Sequence, residues 1–202
     1  MTGMRPFGKA GRITLREWER LKWRDPRADL LAIGLVEAEQ GRRGTPILHD
    51  DLRCRELREF LYLKQAALFS HCISTAIIKA PVAYAMHEAE DYDCLVRWRG
   101  QHFPHARVQL KEVVPHLNPK ASIEVELSKL SKYANSSQTI VAMHVNQTGP
   151  LVYSDIKAPA TGMAEIWLYS SISADQGLWF LYGDLRSARR EGYEIPWPTT
   201  LR

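Results

Sequence analysis

Asp93, Gln109 and Lys111 have the chemical types and the spacing of a site that acts on phosphate groups. Gln109 and Lys111 lie two apart in the segment RVQLKEV, and side chains two apart on a strand point to the same face. Asp93 precedes the apolar part of DYDCLVRW, at a separation from Gln109 that suits a hairpin with a modest loop. Carboxylate and amide oxygens can bind Mg²⁺, and an ammonium group stabilises charge that develops at a phosphate. If the two strands pair, the three side chains converge on one side of a sheet and suit phosphodiester cleavage.

Three helices are predicted before these strands. The segment TLREWERLKWR has Thr14 as its N-cap and Glu17 at the capping-box spacing. Pro26 opens a second helix, which the segment GRRG ends. The third helix, DLRCRELREFLYLKQAALFSH, is rich in strong helix formers, and its apolar stripe is formed by Leu57, Phe60, Leu61 and Leu68.

Apolar segments predict the strands of a mixed α/β sheet. APVAYAMH, DYDCLVRW and RVQLKEVV come first. Asn118 before Pro119 is predicted to cap a helix through KASIEVELSKLSKYA, and QTIVAMHVN is then predicted as a strand buried on both faces. Since this helix can serve as a crossover, the strands on either side of it are expected to be parallel. AEIWLYSSI and GLWFLYGDL add two strands, and the tail ends in a basic helix or loop followed by a Pro/Trp segment.

The order helix, strand, strand, strand, helix, strand, together with the pattern Asp93…Gln109-x-Lys111, resembles the PD-(D/E)xK nuclease superfamily and its restriction-endonuclease-like fold. The segments DYDCLV and VQLKEV carry the resemblance, and the glutamine form is similar to that of Mrr-like restriction enzymes. Tyr92 stands where the family has proline, and glutamine replaces the commoner acid. The resemblance covers residues 51–146 of a single domain, with an N-terminal helical extension over 1–50 and a C-terminal strand pair and basic tail over 147–202.

What the resemblance implies is a metal-dependent nuclease. Asp93 and Gln109 would bind Mg²⁺ or Mn²⁺, and Lys111 would be catalytic. Many members of the superfamily add an acid from the first core helix, a place that Glu56 or Glu59 could fill.

The charge permits a nucleic-acid partner, and the resemblance implies DNA before RNA. The formal net charge is +4 and the isoelectric point about 9.0. Such a balance allows a polyanionic partner without requiring one. The basic residues expected to contact nucleic acid are Arg186, Arg189, Arg190, Lys129 and Lys132.

Other clusters give weaker signals. MHEAEDYD gathers His87 and several acids, but it lacks an HExxH pattern, and solvated loop residues are the better interpretation. Asp91, expected on the face of Asp93, could assist it as a metal ligand. The three cysteines, Cys54, Cys72 and Cys94, have no metal-finger spacing and favour a reducing cytoplasm. Neither a secretory signal nor a membrane span is predicted.

Three alternatives remain open on the sequence. Gln109 and Lys111 could be a solvated strand face, with Asp93 as a turn residue. The same fold could carry a decayed site and act as a non-catalytic nucleic-acid-binding or protein-interaction module. A structural role is the third alternative, with the basic tail and the aromatic strands as an interface. The sequence also leaves a homodimer open.

Overall fold

The computed structural model describes residues 13–44, 57–99, 104–115, 118–133, 136–147 and 151–200. These residues form one seven-stranded mixed sheet with helices on both faces, so the predicted mixed α/β sheet is confirmed. The helices are α1 (Leu15–Arg20), α2 (Pro26–Arg42), α3 (Arg58–Ile73), which continues as a π-helix (Ser74–Ile78), and α4 (Ile123–Ser128), which continues as a 3₁₀ turn (Lys129–Lys132). The strands are β1 (Val82–Ala89), β2 (Tyr92–Trp98), β3 (His105–Val113), β4 (Thr139–Val145), β5 (Glu165–Ser171), β6 (Leu178–Gly183) and β7 (Glu191–Pro196).

The strands lie in the sheet in the same order as in the chain. β1, β2 and β3 pair antiparallel, as do β5, β6 and β7. β4 is parallel to both β3 and β5. The parallel pairing of β3 and β4 across α4 agrees with the prediction. A connection that contains a helix is long enough to return the chain to the end of the sheet at which β3 begins. From α3 to β4 the order is therefore helix, strand, strand, strand, helix, strand.

The first helix begins where the sequence predicts and ends earlier. Thr14 and Glu17 form the capping box, with the Thr14 N–H donating to Glu17 Oε2 at 2.8 Å and the Glu17 N–H donating to Thr14 Oγ1 at 3.2 Å. The chain then becomes extended at Leu21, because Arg24 forms a backbone bridge with Tyr84 on the outer edge of β1. The residues after Arg20 thus extend the sheet edge instead of the helix.

The second helix follows its predicted signals at both ends. Asp25 is its N-cap, and its carboxylate accepts from the Arg27 N–H at 2.9 Å, while Pro26 occupies the first turn. Gly44 has a φ of +71°, the left-handed conformation that glycine adopts without strain after a helix.

The sheet has an apolar core on each face, with α3 packed in one and α4 in the other. The α3-side core contains Phe69 and Cys72 of α3 together with Cys94, Val108 and Leu110 of the sheet. Of the predicted α3 stripe, Leu61 and Leu68 are buried and Leu57 and Phe60 are half-buried, while every residue from Gln65 to Ile73 is buried. Burial on all sides is expected of a helix that is covered by α2 as well as by the sheet.

The α4-side core lies on the opposite face of the sheet. Ile123, Leu127 and Leu130 pack there against Val141 and Met143 of β4. Every residue of β4 is buried, as predicted for a strand covered on both faces.

Asn118 does not cap α4, so this prediction is wrong. The N-cap is Ser122, whose Oγ accepts from the Val125 N–H at 3.2 Å. Asn118 instead accepts from the Lys120 N–H at 3.1 Å and forms a turn ahead of the helix. Asparagine side chains form such local turns readily, which is why Asn before Pro is an ambiguous signal.

The tail contains a strand that the sequence does not reveal. Residues 184–190 form the basic loop, and β7 follows as the last strand of the sheet. Of its residues, Ile195 is buried and Tyr193 half-buried, so its amphipathic pattern is short and interrupted. Among the described helices, none has the length and apolar character that crossing a membrane requires.

Candidate functional site

The sheet brings Asp93 and Gln109 into direct contact. The register of β2 against β3 pairs Cys94 with Val108, so the next positions, Asp93 and Gln109, face each other across the two strands. Gln109 Nε2 donates to Asp93 Oδ2. The backbone N–H of Leu110 donates to the same oxygen at 2.6 Å. Both bonds go to Oδ2, so the Asp93 carboxylate is held against β3, and Oδ1 is the oxygen that makes neither of these bonds.

Lys111 lies on the same sheet face as Gln109. Gln109 and Lys111 pair with Val141 and Met143, which belong to the α4-side core, whereas Leu110 belongs to the α3-side core. The side chains of Gln109 and Lys111 therefore project from the same face of the sheet, as expected for residues two apart on a strand.

The charge of Lys111 affects the pKa of Asp93. Burial raises the pKa of Asp93 above its ordinary value, because desolvation disfavours the charged form. The Leu110 N–H, the Lys111 ammonium and the Gln109 amide oppose this rise and lower the pKa, whereas Glu88 adds to it. The Lys111 ammonium also lies 5.7 Å from the centre of the Tyr133 ring. The carboxylate thus depends on neighbouring donors and a neighbouring cation to remain charged.

A cleft of about 330 Å³ opens beside β3. Three residues of β3, Leu110 to Glu112, line the cleft. They follow Gln109 along the strand, near the level at which the neighbouring strand β2 begins. The cleft is bounded on one side by α3 and on the other by Glu126 of α4. Since Leu110 both lines the cleft and donates to Asp93, the Asp93–Gln109 pair lies next to it.

The first core helix contributes other residues than those predicted. Glu59 is exposed in the first turn of α3 and is absent from the cleft lining, and Glu56 lies outside the described residues. The α3 residues that line the cleft are Arg58, Leu61, Tyr62 and Gln65. The role of an acid from this helix stays a prediction for both Glu56 and Glu59.

Glu126 is a carboxylate near Lys111 that sequence reasoning did not single out. Its side chain is 15% exposed and forms an ion pair with Lys129 at 2.5 Å. It lines the cleft together with Lys111. The available signal was its position on the predicted helix after β3, but charged residues on a short surface helix are common and carry no specific spacing.

Asp91 forms a contact of its own in the turn between β1 and β2. Its Oδ2 accepts from Thr139 Oγ1 at 3.0 Å, which ties the turn to the start of β4. Its proposed part in metal binding stays a prediction.

The five basic residues predicted to contact nucleic acid lie in two groups. Lys129 and Lys132 are in the turn after α4, with the Lys132 ammonium 4.9 Å from the centre of the Tyr133 ring that Lys111 also approaches. Arg186, Arg189 and Arg190 are in the loop between β6 and β7, where Arg186 and Arg190 donate to backbone carbonyls at 3.3 and 2.5 Å. The first group is the one that adjoins the candidate site.

The residues at the site fit a loosely bound Mg²⁺ better than a tight one. Asp93 would supply a single carboxylate; the Gln109 amide faces that carboxylate through Nε2, so Oε1 is the Gln109 atom left for an ion. Mg²⁺ commonly keeps several waters and takes one or two carboxylates plus substrate phosphates, which suits so small a donor set. Within the described ranges, no group of three or more His, Cys, Asp and Glu side chains could hold a metal ion.

Neither a protein-family model nor a curated protein nor a solved structure matches this chain.

Proposed function

We propose that this protein is a metal-dependent nuclease with a restriction-endonuclease-like core, cleaving phosphodiester bonds of DNA. The observation that carries the proposal is the contact between Asp93 and Gln109 on paired strands, with Lys111 two residues further along the same face. The sequence of elements from α3 to β4 supports it, because this is the order that the resemblance requires.

Each residue of the group has a distinct task in this proposal. Asp93 and Gln109 would bind Mg²⁺, which when bound supplies a Lewis acid for the phosphate. Asp93 is kept in place by the Leu110 N–H, so its orientation does not depend on the ion. The Lys111 ammonium would stabilise charge on the phosphate oxygens during attack.

Plasmid nicking in the presence of Mg²⁺ or Mn²⁺, run beside a thermal melt with and without the metal, tests this function. Lys111→Ala should lose cleavage by about 10²–10³-fold, the usual effect of one charge-stabilising group. Asp93→Ala should lose both cleavage and the stabilisation by metal, since it removes the carboxylate of the pair. Lys157→Ala, which changes an exposed lysine after the Tyr153–Asp155 turn, is the matched control and should cut normally. A wild-type protein that neither cuts nor gains stability from either metal rules out the enzyme.

A second candidate function is a non-catalytic nucleic-acid-binding module on the same fold. The small donor set favours it, because Gln109 replaces an acid and contributes no charge to metal binding. The module would retain DNA at low salt without cutting it. The nicking assay and a binding assay on the same preparation therefore separate the two functions.

A further inference from the structure

Gln65 is a buried glutamine that faces the cleft. It is 4% exposed and lines the cleft from the middle of α3. Among the described residues, none forms a hydrogen bond with its amide. Its amide atoms are not fully enclosed and are open to the cleft, where they offer a ligand both N–H donors and a carbonyl acceptor.

Glu112 approaches the same cleft from β3. Its side chain is 11% exposed, and Oε1 lies 3.4 Å from His144 Nδ1. The His144 ring stacks on Tyr169 with the ring centres 5.2 Å apart. The carboxylate thus lies beside the His144 ring, and a charged carboxylate is purely an acceptor.

The remaining walls suit a flat ring. Leu61 and Leu110 are apolar, and Tyr62 stands at the α3 side with the Arg58 guanidinium 5.5 Å from its ring centre. Aromatic and guanidinium planes stack on nucleobases with little regard to sequence. The volume of about 330 Å³ lies within the range of small-ligand clefts.

We infer that this cleft binds an unpaired nucleobase, with guanine preferred, next to the phosphate at Lys111. The inference rests on the proposed function and names its substrate more closely: a single strand, or a nucleotide turned out of a duplex. Lys111 lines the cleft as well as belonging to the candidate site, so the base and its phosphate would be bound side by side.

Guanine is the base whose pairing edge matches the two polar groups. That edge presents two adjacent N–H donors, which a carboxylate such as Glu112 accepts, and one carbonyl oxygen, to which the Gln65 amide can donate. Adenine and cytosine present one amino donor, and uracil and thymine a single imide donor. Because these atoms are the ones used in base pairing, the base must be unpaired to reach the cleft.

Binding of the four nucleoside 5′-monophosphates, measured by equilibrium dialysis without divalent cations, tests the inference. Guanosine monophosphate should bind the wild-type protein about tenfold or more tightly than the other three, as expected when one bidentate contact discriminates. Gln65→Leu and Glu112→Gln should each weaken its binding by a similar factor. Glu194→Gln, on the exposed side of β7, is the matched control and should bind as wild type. Thermal melts of each variant check that it remains folded.

The outcomes separate this inference from the proposed function. Equal binding of all four nucleotides, no binding at all, or unchanged binding in folded Gln65→Leu and Glu112→Gln protein overturns the base pocket. Plasmid nicking alongside any of these results would leave the nuclease intact. If guanosine monophosphate binds in a way that depends on Gln65 and Glu112, and the protein never cuts DNA, the base pocket is supported and the nuclease activity is ruled out.

Discussion

The carboxylate of Asp93 accepts the backbone N–H of Leu110 at 2.6 Å, so a side chain of β2 occupies a hydrogen-bonding position of β3. This bond joins the start of β2 to the point where β3 enters the cleft. Asp93 is therefore both a structural link between two strands and the charged member of the candidate site. The hydrogen bond of the first role stabilises the fold, whereas burial of the charged carboxylate in the second role destabilises it.

Asp93→Asn should gain stability relative to wild type as the pH rises. Burial raises the pKa of Asp93, so the folded protein binds this proton more tightly than the unfolded chain does. The stability from this group is complete below the unfolded pKa and is lost as the pH rises through the folded pKa. Without metal, the Tm difference between variant and wild type should grow as the pH rises above about 4, the unfolded pKa of an aspartate. Mn²⁺ should then stabilise the wild type and not the variant. A Tm difference that stays constant over this pH range would contradict the raised pKa.

Glu126→Gln should lower metal-dependent cleavage about tenfold or more, if its carboxylate takes part beside Lys111. Its ion pair with Lys129 is on the surface and contributes less than about 1 kcal/mol to the free energy of unfolding. Glu124→Gln changes an exposed carboxylate on the same helix that does not line the cleft, so it serves as the control in parallel nicking and melting assays. Equal losses of cleavage in both variants would assign the effect to the general charge of the helix and not to Glu126.

Ser122→Ala should lower the free energy of unfolding by about 1 kcal/mol, because the Val125 N–H loses its cap. Asn118→Ala should have a smaller effect, since Asn118 forms only the turn ahead of α4. Urea denaturation of both variants measures the difference. A larger loss for Asn118→Ala would move the start of the helix back to the position that the sequence suggests.

Arg189→Ala and Arg190→Ala should have different effects. Arg189 is exposed, and for duplex DNA the slope of log K against log salt should fall by about 0.9 for each phosphate that the protein no longer neutralises. Arg190 donates to the Ile156 carbonyl at 2.5 Å, so its replacement should also lower the Tm. Fluorescence anisotropy with a labelled duplex at several salt concentrations measures the slopes, and Arg43→Ala on α2 is the control. If the slope for Arg189→Ala equals that of wild type, the loop does not contact phosphates.

The sheet was predictable because its signals are local and strong. The unbroken apolar run of β4 indicates burial on both faces. The alternation in β2 places the side chains of Asp93 and Cys94 on opposite faces of the sheet. Thr14 and Pro26 mark helix starts that depend only on backbone geometry and adjacent side chains. Such elements need no tertiary information.

The parts that the sequence did not predict depend on tertiary contacts. β7 is stabilised by pairing with β6, and its own apolar pattern is too short to identify it. Ser122 rather than Asn118 is the cap because of where the chain must turn to reach the α4-side core. Gln65 and Glu126 line one cleft only because the fold places α3, β3 and α4 around it.

The strand order has a consequence for synthesis of the chain. Each strand from β2 to β7 neighbours the strand made just before it, so no later segment has to be inserted between two strands already paired. Pairing can therefore proceed in step with emergence from the ribosome, where N-terminal segments fold first. The Asp93–Gln109 contact would form once β3 has emerged, and β5 to β7 would then add to the open side of β4.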